Sequence, residues 1–390
     1  MALRLIAGMI AKIRERGIKA SLERAGPWLW GKYFQNHPRW HKIIFSVLSK
    51  FERWMPLPER NKGTLYAFYD LARSKPTFDI GSFMPLAEFE RQKKGCRDMV
   101  VVVVPANDQS LVREIRREQN RLAEKENSLW RLRHVVEPFC GLYEHCRGIM
   151  ICGTRREART IFRKMAKHTY PRHYTTWIPQ KHNHWRYVEE LHKESNGLTT
   201  IKVSGSAKLH VRRWRDAKTS QRPIVTITLR ESSYNTCRNS NIKEWIRVAH
   251  WVEERGYQPV ILRDTEQAFS NEPKELLQWQ SFPEVLWNLE LRAALYEMAY
   301  LNLTVANGPT ILCVTNRDVR YIQFKQVTEE CSVTTEEHIK EFVGLEHGQQ
   351  FCTNGPFQKN VWEEDKFEII KREFMRMEEK LPVKEERDNG

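Results

Sequence analysis

The 390-residue sequence has no long apolar segment and lacks the short motifs of several large enzyme classes. No run approaches the roughly 18 apolar residues of a membrane-spanning helix, and its most apolar run, Val100–Val104, has the length of a strand. The patterns G-x-G-x-x-G, G-x-x-x-x-G-K-[ST] and G-x-S-x-G are missing, which argues against dinucleotide oxidoreductases, P-loop nucleotidases and α/β-hydrolases. The short apolar patch near the N-terminus has no small-residue cleavage site, so we expect no secretory signal peptide.

Metal-ligating patterns are also scarce. The eight cysteines form no C-x-x-C pair, which favours scattered buried thiols over a zinc site or a disulfide framework. His182 and His184 have H-x-H spacing, but no acidic or cysteine partner pattern follows them. We therefore expect no bound metal.

Positive charge, in contrast, is abundant and unevenly placed. The formal net charge is +15, which points to nucleic acid, an anionic membrane face or phosphate-bearing ligands as partners. Residues 1–60 carry 12 Lys and Arg against 4 Asp and Glu, and a second basic concentration lies around 205–222. Helical apolar spacing and interleaved aromatic residues predict that residues 1–60 form a basic helical arm. Such an arm suits an anionic membrane surface, or packing against the protein's own body.

Strand and helix patterns alternate along the rest of the chain. Met99–Val104 and Gly148–Cys152 predict buried parallel strands, and Thr154 predicts the N-cap of a following helix. We interpret residues 168–220 as irregular structure and a linker. Beyond it, strands over Pro223–Arg230 and Gln258–Leu262 flank a helix that we expect to end at Gly256.

This alternation predicts an α/β fold with two Rossmann-like domains that face a central cleft. The expected divisions are a basic helical arm (1–60), an N-terminal α/β domain on the acceptor side (61–215), a C-terminal α/β domain on the donor side (220–355), and a C-terminal helix with a polar tail (356–390).

Two loops of the second domain are expected at the carboxyl ends of strands, where ligands bind in such sheets. The first runs from Arg230 to Asn241, and its arginines, Arg230 and Arg238, suit the binding of a diphosphate. Asn239 or Ser240 can serve there as a helix N-cap. An ordinary polar connection is the alternative interpretation.

The second loop is Asn307-Gly308-Pro309-Thr310, between a strand and a helix. Glycine permits close backbone approach to a ligand, and the following helix N-terminus favours a phosphate. A simple turn is the alternative.

These two loops carry a resemblance to a known family. The segment 227–265 reads ITLRESSYNTCRNSNIKEWIRVAHWVEERGYQPVILRDT, and LNLTVANGPTILC follows at 301–313. Together they resemble the C-terminal half of bacterial GT-B glycosyltransferases, in particular the fucosyltransferase and heptosyltransferase group. The resemblance covers residues 223–325 and implies a domain that binds a nucleotide-sugar donor. It implies that the donor diphosphate is bound by Arg230, Arg238, Asn239, Asn307, Gly308 and Thr310.

The chain contains no Asp-x-Asp, the carboxylate pair that metal-dependent transferases of the other main fold use to hold a divalent cation. Leaving-group charge would then be met by arginines and helix N-termini, without a metal or any cofactor beyond the nucleotide-sugar co-substrate. Asp108 and Glu231 are the candidate catalytic bases, with His134 and Glu137 as weaker candidates. The alternative, non-catalytic roles are a helix cap for Asp108 and an ion pair with an arginine for Glu231.

The sequence therefore predicts a metal-independent glycosyltransferase that acts on a glycan or lipid-linked acceptor in cell-surface polysaccharide synthesis. We expect a cytoplasmic location, with peripheral attachment to the inner face of the cytoplasmic membrane through residues 1–60. The alternatives are a basic nucleic-acid-binding protein, although no nucleic-acid module is recognisable, and a non-catalytic scaffold with the GT-B-like fold. The sugar, nucleotide, acceptor, stereochemical outcome and oligomeric state are not specified by the sequence.

Overall fold

A computed structural model of the chain describes residues 46, 50, 63–107, 128–165, 168–179, 185–194 and 200–381. The arm predicted for residues 1–60 lies outside the described residues apart from positions 46 and 50, and so do His182, His184 and Asp108. Within the described part, no helix is both long and apolar enough to cross a membrane.

Strands and helices alternate through most of the described chain. The strands are β1 (Thr64–Asp70), β2 (Asp98–Val104), β3 (Cys146–Ile151), β4 (Thr169–Tyr170), β5 (Ile224–Thr228), β6 (Gln258–Leu262), β7 (Gln280–Ser281), β8 (Leu301–Val305), β9 (Tyr321–Phe324) and β10 (Gln358–Asn360). The helices are α1 (Ile80–Lys93), α2 (Ser128–Arg131), α3 (Glu137–Gly141), α4 (Arg155–Lys164), α5 (Trp185–Glu194), α6 (Gly205–Lys218), α7 (Ile242–Glu254), α8 (Glu284–Trp287), α9 (Leu289–Met298), α10 (Ile311–Val314), α11 (Glu336–His338) and α12 (Phe367–Glu378).

The chain forms two compact units and passes between them more than once. The described residues of the first unit include 63–75, 87–107, 145–165 and 168–179. The second unit contains the rest of the C-terminal part from residue 185 onward, together with the segments 76–86 and 130–144.

The first unit contains a parallel four-stranded sheet in the order β3-β2-β1-β4. Strand β2 is the valine run that the sequence singled out, and its side chains are buried almost throughout. Thr154 caps helix α4 as predicted, since its hydroxyl accepts the backbone N–H of Glu157 at 3.1 Å. Phe162 of α4 packs edge-on against Phe68 of β1, with ring centroids 5.5 Å apart.

A buried ion pair lies at the carboxyl end of β1. The Arg155 guanidinium donates to both carboxylate oxygens of Asp70 at 2.8 Å, and the Tyr174 hydroxyl donates to the same carboxylate at 2.7 Å. The same two terminal nitrogens of Arg155 also donate to the carbonyls of Pro105 and Thr176. Pairing and hydrogen bonding of this kind make two buried charges tolerable in a core.

The second unit contains a parallel six-stranded sheet in the order β10-β9-β8-β5-β6-β7. Helix α7 lays Trp245, Val248 and Val252 on this sheet, and Phe374 of α12 belongs to the same buried core. Burying each large apolar side chain contributes roughly 1.5–3 kcal/mol. Helix α7 ends as the sequence predicts, with Gly256 in the left-handed region at φ +84°.

The two parallel sheets confirm the predicted α/β class with Rossmann-like units. The prediction of irregular structure over 168–220 is wrong in part, because helices α5 and α6 lie there. The sequence does contain a signal for α6. Ser204 is a good N-cap, and its hydroxyl accepts the N–H of Ala207 at 3.2 Å. Ala207 and Val211 repeat at helical spacing and are buried.

Candidate functional site

The two loops singled out in the sequence lie at the topological switch point of the second sheet. After β5 the chain adds β6 and β7 on one side, and then β8, β9 and β10 on the other. The carboxyl ends of the neighbouring strands β5 and β8 therefore flank the position where ligands bind in such sheets. Residues 229–241 follow β5, and residues 306–310 follow β8.

Arg230 is buried, and its guanidinium is used inside its own loop. It donates to the carbonyl oxygens of Asn235 at 2.9 Å and Tyr234 at 2.6 Å, and also to the side-chain oxygen of Asn239. Burial lowers the pKa of Arg230. This side chain therefore shapes the loop, which bends at Asn235 in the left-handed region with φ 50°.

Arg238 follows in a single 3₁₀ turn, Thr236–Arg238, and connects the two loops. One of its terminal nitrogens donates to the carbonyl of Ala306 at 3.1 Å, directly after β8. Burial lowers the pKa of Arg238, and the neighbouring positive charge of Arg230 lowers that pKa further. Among the described residues, no carboxylate lies within ion-pair distance of either arginine, although Asp264 and Glu266 act on the charge of Arg230 from farther away. Two partly desolvated cations therefore lie near each other at the switch point.

Asn239 also serves the loop. Its amide nitrogen donates to the carbonyl of Ser232 at 2.9 Å, and its amide oxygen accepts the N–H of Ser232 at 3.2 Å. Ser240 accepts the N–H of Arg230 at 2.9 Å. Neither residue is the N-cap that the sequence suggested. Helix α7 has Asn241 as its N-cap instead.

The start of α7 is held from a distant part of the chain. The N–H of Asn241 donates to the Asp365 carboxylate at 2.7 Å, and the Trp245 indole donates to the same oxygen at 2.8 Å. A third cation, Lys325, donates to the carbonyl of Asn239 at 3.2 Å from the end of β9. Long-range contacts thus fix the loop between β5 and α7 from two neighbouring segments.

The turn after β8 is closed by its own side chains. The Asn307 side-chain oxygen accepts the N–H of Thr310 at 3.1 Å and its hydroxyl at 2.8 Å. Thr310 is buried, at 2% exposure. The N–H groups of Ile311 and Leu312 donate to the carbonyls of Gly308 and Pro309. The first amides of the four-residue helix α10 are therefore already satisfied, and the helix terminus does not offer them to a phosphate as expected.

Gly308 has a packing role that the sequence does not reveal. A Cβ atom at this position would lie 2.4 Å from Cδ2 of Phe78, far inside van der Waals contact. Gly81 repeats the arrangement, because a Cβ there would lie 2.2 Å from Ile311 Cγ1. The segment 76–86 of the second unit therefore presses on the turn after β8 at two glycines.

Of the candidate bases, Glu231 is an ion-pair partner. Both of its carboxylate oxygens accept from the Arg263 guanidinium, Oε2 at 2.9 Å, and the two side chains are 11% and 10% exposed. This is the alternative that the sequence left open for Glu231. His134 stacks on Trp130 with ring centroids 4.5 Å apart, and Glu137 is exposed. Asp108 lies outside the described residues.

A cavity of about 560 Å³ lies between the loops that follow β5 and β6, and of the two arginines Arg230 lines it. The Glu231–Arg263 pair forms part of its wall, and Glu266 binds the N–H of Ser233 at 3.0 Å on the same wall. The sequence analysis did not single out the loop after β6. The available signal was the position of β6 as the second strand of its unit, because the carboxyl end of the second strand also lines the ligand crevice in Rossmann-type sheets.

The described part of the chain shows no group of three or more His, Cys, Asp or Glu side chains arranged to hold a metal ion. The charge at the switch point comes from arginine and lysine side chains. The arrangement is chemically suited to an anion with several oxygens, because guanidinium groups bind phosphate through paired charge-assisted hydrogen bonds.

No protein-family profile and no curated protein matches the sequence. Solved structures to which this chain is similar include a glycosyltransferase family 9 protein from Veillonella parvula DSM 2008, with 10% identity over 82% of this chain and 99% of that chain, at a TM-score of 0.41. The E. coli ADP-heptose lps heptosyltransferase II has 9% identity over 80% of this chain and 98% of its own, at 0.41. The dodecameric iron-containing heptosyltransferase TibC in complex with ADP-D-beta-D-heptose has 12% identity over 84% and 79%, at 0.43.

Proposed function

We propose that this chain is a glycosyltransferase that transfers a sugar from a nucleotide-sugar to a glycan or lipid-linked acceptor in cell-surface polysaccharide synthesis. The proposal includes catalysis without a metal ion or a further cofactor, at the cytoplasmic face of the membrane. The observation that carries it is Arg238, which adjoins Arg230, has no carboxylate partner in the described chain, and spans the loops after β5 and β8.

The proposed chemistry follows from the charge that develops on the leaving group. When the sugar leaves, the nucleoside diphosphate gains negative charge, and preorganised donors near that charge lower the barrier. Arg238 is the proposed donor to the diphosphate, because one hydrogen bond to Ala306 leaves most of its donors uncommitted. In this proposal the shape of the two loops is maintained by four side chains: Arg230, Asn239, Asn307 and Thr310. Gly308 keeps the second loop close to Phe78.

The proposed roles of the two acidic candidates differ. Glu231 would keep the Arg263 side chain in the cavity wall, since its carboxylate is fully committed to that guanidinium. Asp108 is the proposed general base, which takes the proton of the acceptor hydroxyl as the new glycosidic bond forms.

Thermal unfolding with added nucleoside diphosphates tests the donor site. The matching nucleotide, at a concentration about 100 times its Kd, should stabilise the native state by roughly 2.7 kcal/mol, with or without EDTA. Arg238→Ala should weaken its binding about 10- to 150-fold, since a hydrogen bond to a charged group contributes roughly 1.5–3 kcal/mol. Arg247→Ala removes an exposed arginine of α7 and serves as the matched control.

Four outcomes would contradict parts of the proposal. The donor site is wrong if millimolar ADP, GDP, UDP and CDP all leave the unfolding temperature unchanged, or if Arg238→Ala binds as well as the wild type. Loss of binding in EDTA would contradict metal independence. Nucleotide binding without sugar transfer to any glycan or lipid-linked acceptor would instead favour a non-catalytic scaffold.

A further inference from the structure

Helix α6 (Gly205–Lys218) carries the second basic concentration of the sequence, which the proposed donor site does not use. Its inner side is firmly packed in the second unit. Ala207 and Val211 are buried, and the Trp214 ring stacks on Phe282 with centroids 4.3 Å apart and planes 3° from parallel. The orientation of the helix is therefore fixed, and its opposite side is a defined outer face.

The outer face combines exposed cations with one exposed apolar side chain. Leu209, Arg212 and Arg213 follow each other at i, i+3 and i+4, so they share one side of the helix. Leu209 is 47% exposed, and both arginines are exposed. The only carboxylate on this helix, Asp216, lies on the same side, at i+4 from Arg212 and i+3 from Arg213, and it pairs with Arg215 at 3.1 Å.

Most neighbouring cations of this segment already have acidic partners. Lys202 pairs with Glu144, Lys208 pairs with Glu297 at 2.7 Å, and Arg222 lies 3.9 Å from Glu253. Within the described residues, Arg212, Arg213 and Lys218 have no such ion pair. Their uncompensated charge favours an anionic partner, because partners associate when their surface potentials are complementary.

The apolar member of the face distinguishes between two kinds of anionic partner. An exposed leucine between arginines can insert among lipid headgroups while the cations meet the anionic lipids. A single-stranded nucleic acid gains instead from aromatic side chains on which its bases stack. The one tryptophan of α6, Trp214, is stacked inward on Phe282 and does not provide such a surface.

We propose that the outer face of α6, which carries Leu209, Arg212 and Arg213, docks onto an anionic lipid bilayer. This membrane surface differs from the one expected for residues 1–60, and it does not depend on the proposed transferase activity. It would hold the second unit against a membrane whether or not the donor site binds a nucleotide.

Sedimentation of the full chain with lipid vesicles tests the proposal. The wild type should bind vesicles of phosphatidylcholine mixed with phosphatidylglycerol, and hardly bind phosphatidylcholine alone. Added salt should weaken the binding, because it screens exposed charges. R212Q/R213Q should bind about 30-fold more weakly, since each cation near an anionic surface contributes about 1 kcal/mol. R212K/R213K should keep most of the binding.

Two further variants make the result specific. K366Q/K380Q removes two exposed lysines at the ends of α12 and should bind as the wild type does. L209S should weaken binding to a degree that persists at high salt, because its contribution is apolar.

The proposal is overturned if R212Q/R213Q binds as tightly as the wild type, or if K366Q/K380Q loses as much binding. It is also overturned if the wild type does not bind anionic vesicles but does bind a single-stranded RNA or DNA oligonucleotide, and R212Q/R213Q has lost that binding to the oligonucleotide. Circular dichroism of each variant confirms that the comparison is made between folded proteins.

Discussion

Replacing Gly308 with alanine separates two explanations for a glycine in the turn after β8. In the structure the added Cβ would lie 2.4 Å from Cδ2, 3.1 Å from Cγ and 3.2 Å from Cε2 of the Phe78 ring. Carbon atoms prefer about 3.5–4.0 Å, so the ring or the turn must move by about 1 Å. Overpacking of this kind costs about 1–3 kcal/mol. We therefore expect Gly308→Ala to lower the free energy of unfolding by that amount.

The size of this loss should depend on the Phe78 ring. We would measure urea unfolding of the wild type, Gly308→Ala, Phe78→Ala and the double variant, which form a double-mutant cycle. The alanine should cost little once the ring is gone, so the coupling energy should approach the full 1–3 kcal/mol. Gly205→Ala is the matched control, because a Cβ there meets nothing within 4 Å.

Nucleotide binding by the same four proteins tests the other explanation. If the glycine instead permits a ligand to approach the backbone, Gly308→Ala should impair binding equally with and without the Phe78 ring. An equal stability loss in both backgrounds would refute the packing explanation.

Two further predictions concern the first unit. Arg155→Met leaves the buried Asp70 carboxylate without its bidentate partner and should lower the free energy of unfolding, measured in urea, by about 3–5 kcal/mol. Adding Asp70→Asn to the same chain should restore part of this free energy. An unchanged urea midpoint in Arg155→Met would contradict the pairing. Burial raises the pKa of the Cys152 thiol from 9.0 to about 12, so iodoacetamide should modify it at pH 8 only after unfolding. The unfolded state loses this proton first, so the thiol's contribution to stability should fall between pH 9 and pH 12, and Cys152→Ala should remove that part of the pH dependence.

Local patterns predicted the regular elements because those elements depend on local spacing. The valine run of β2 is buried wherever it is placed in a parallel sheet, and Gly256 ends α7 through its own backbone freedom. Thr154 caps α4 with a bond that spans three residues. These signals need no knowledge of the rest of the chain. Helix α6 has equally local signals in the spacing of Ala207 and Val211, but the arginines and prolines around it are typical of irregular structure and obscure that spacing.

The candidate site was predictable in position but not in the roles of its side chains. Arg230 and Arg238 have the same chemistry and lie eight positions apart in one loop. Their roles diverge because Asn235 adopts φ 50°, which turns the carbonyls of the loop toward Arg230. The sequence does not reveal that bend. The contacts of Asp365 with Asn241 and of Phe78 with Gly308 join residues that are far apart in the chain, so no local pattern contains them.

The contrast between the two arginines decides where an anion can bind. Arg230 gives its donors to Tyr234, Asn235 and Asn239, so removing it disturbs the loop before it disturbs any ligand. Arg238 gives one hydrogen bond to Ala306, and burial and its positive neighbour both act against its charge. A cation in this position is relieved by a bound anion, because an anion supplies hydrogen bonds and offsets the repulsion between the two guanidiniums. We therefore expect different defects in the two variants. Arg230→Ala should lose the order of the loop, whereas Arg238→Ala should lose only anion affinity. The same defect in both variants would contradict this division of roles.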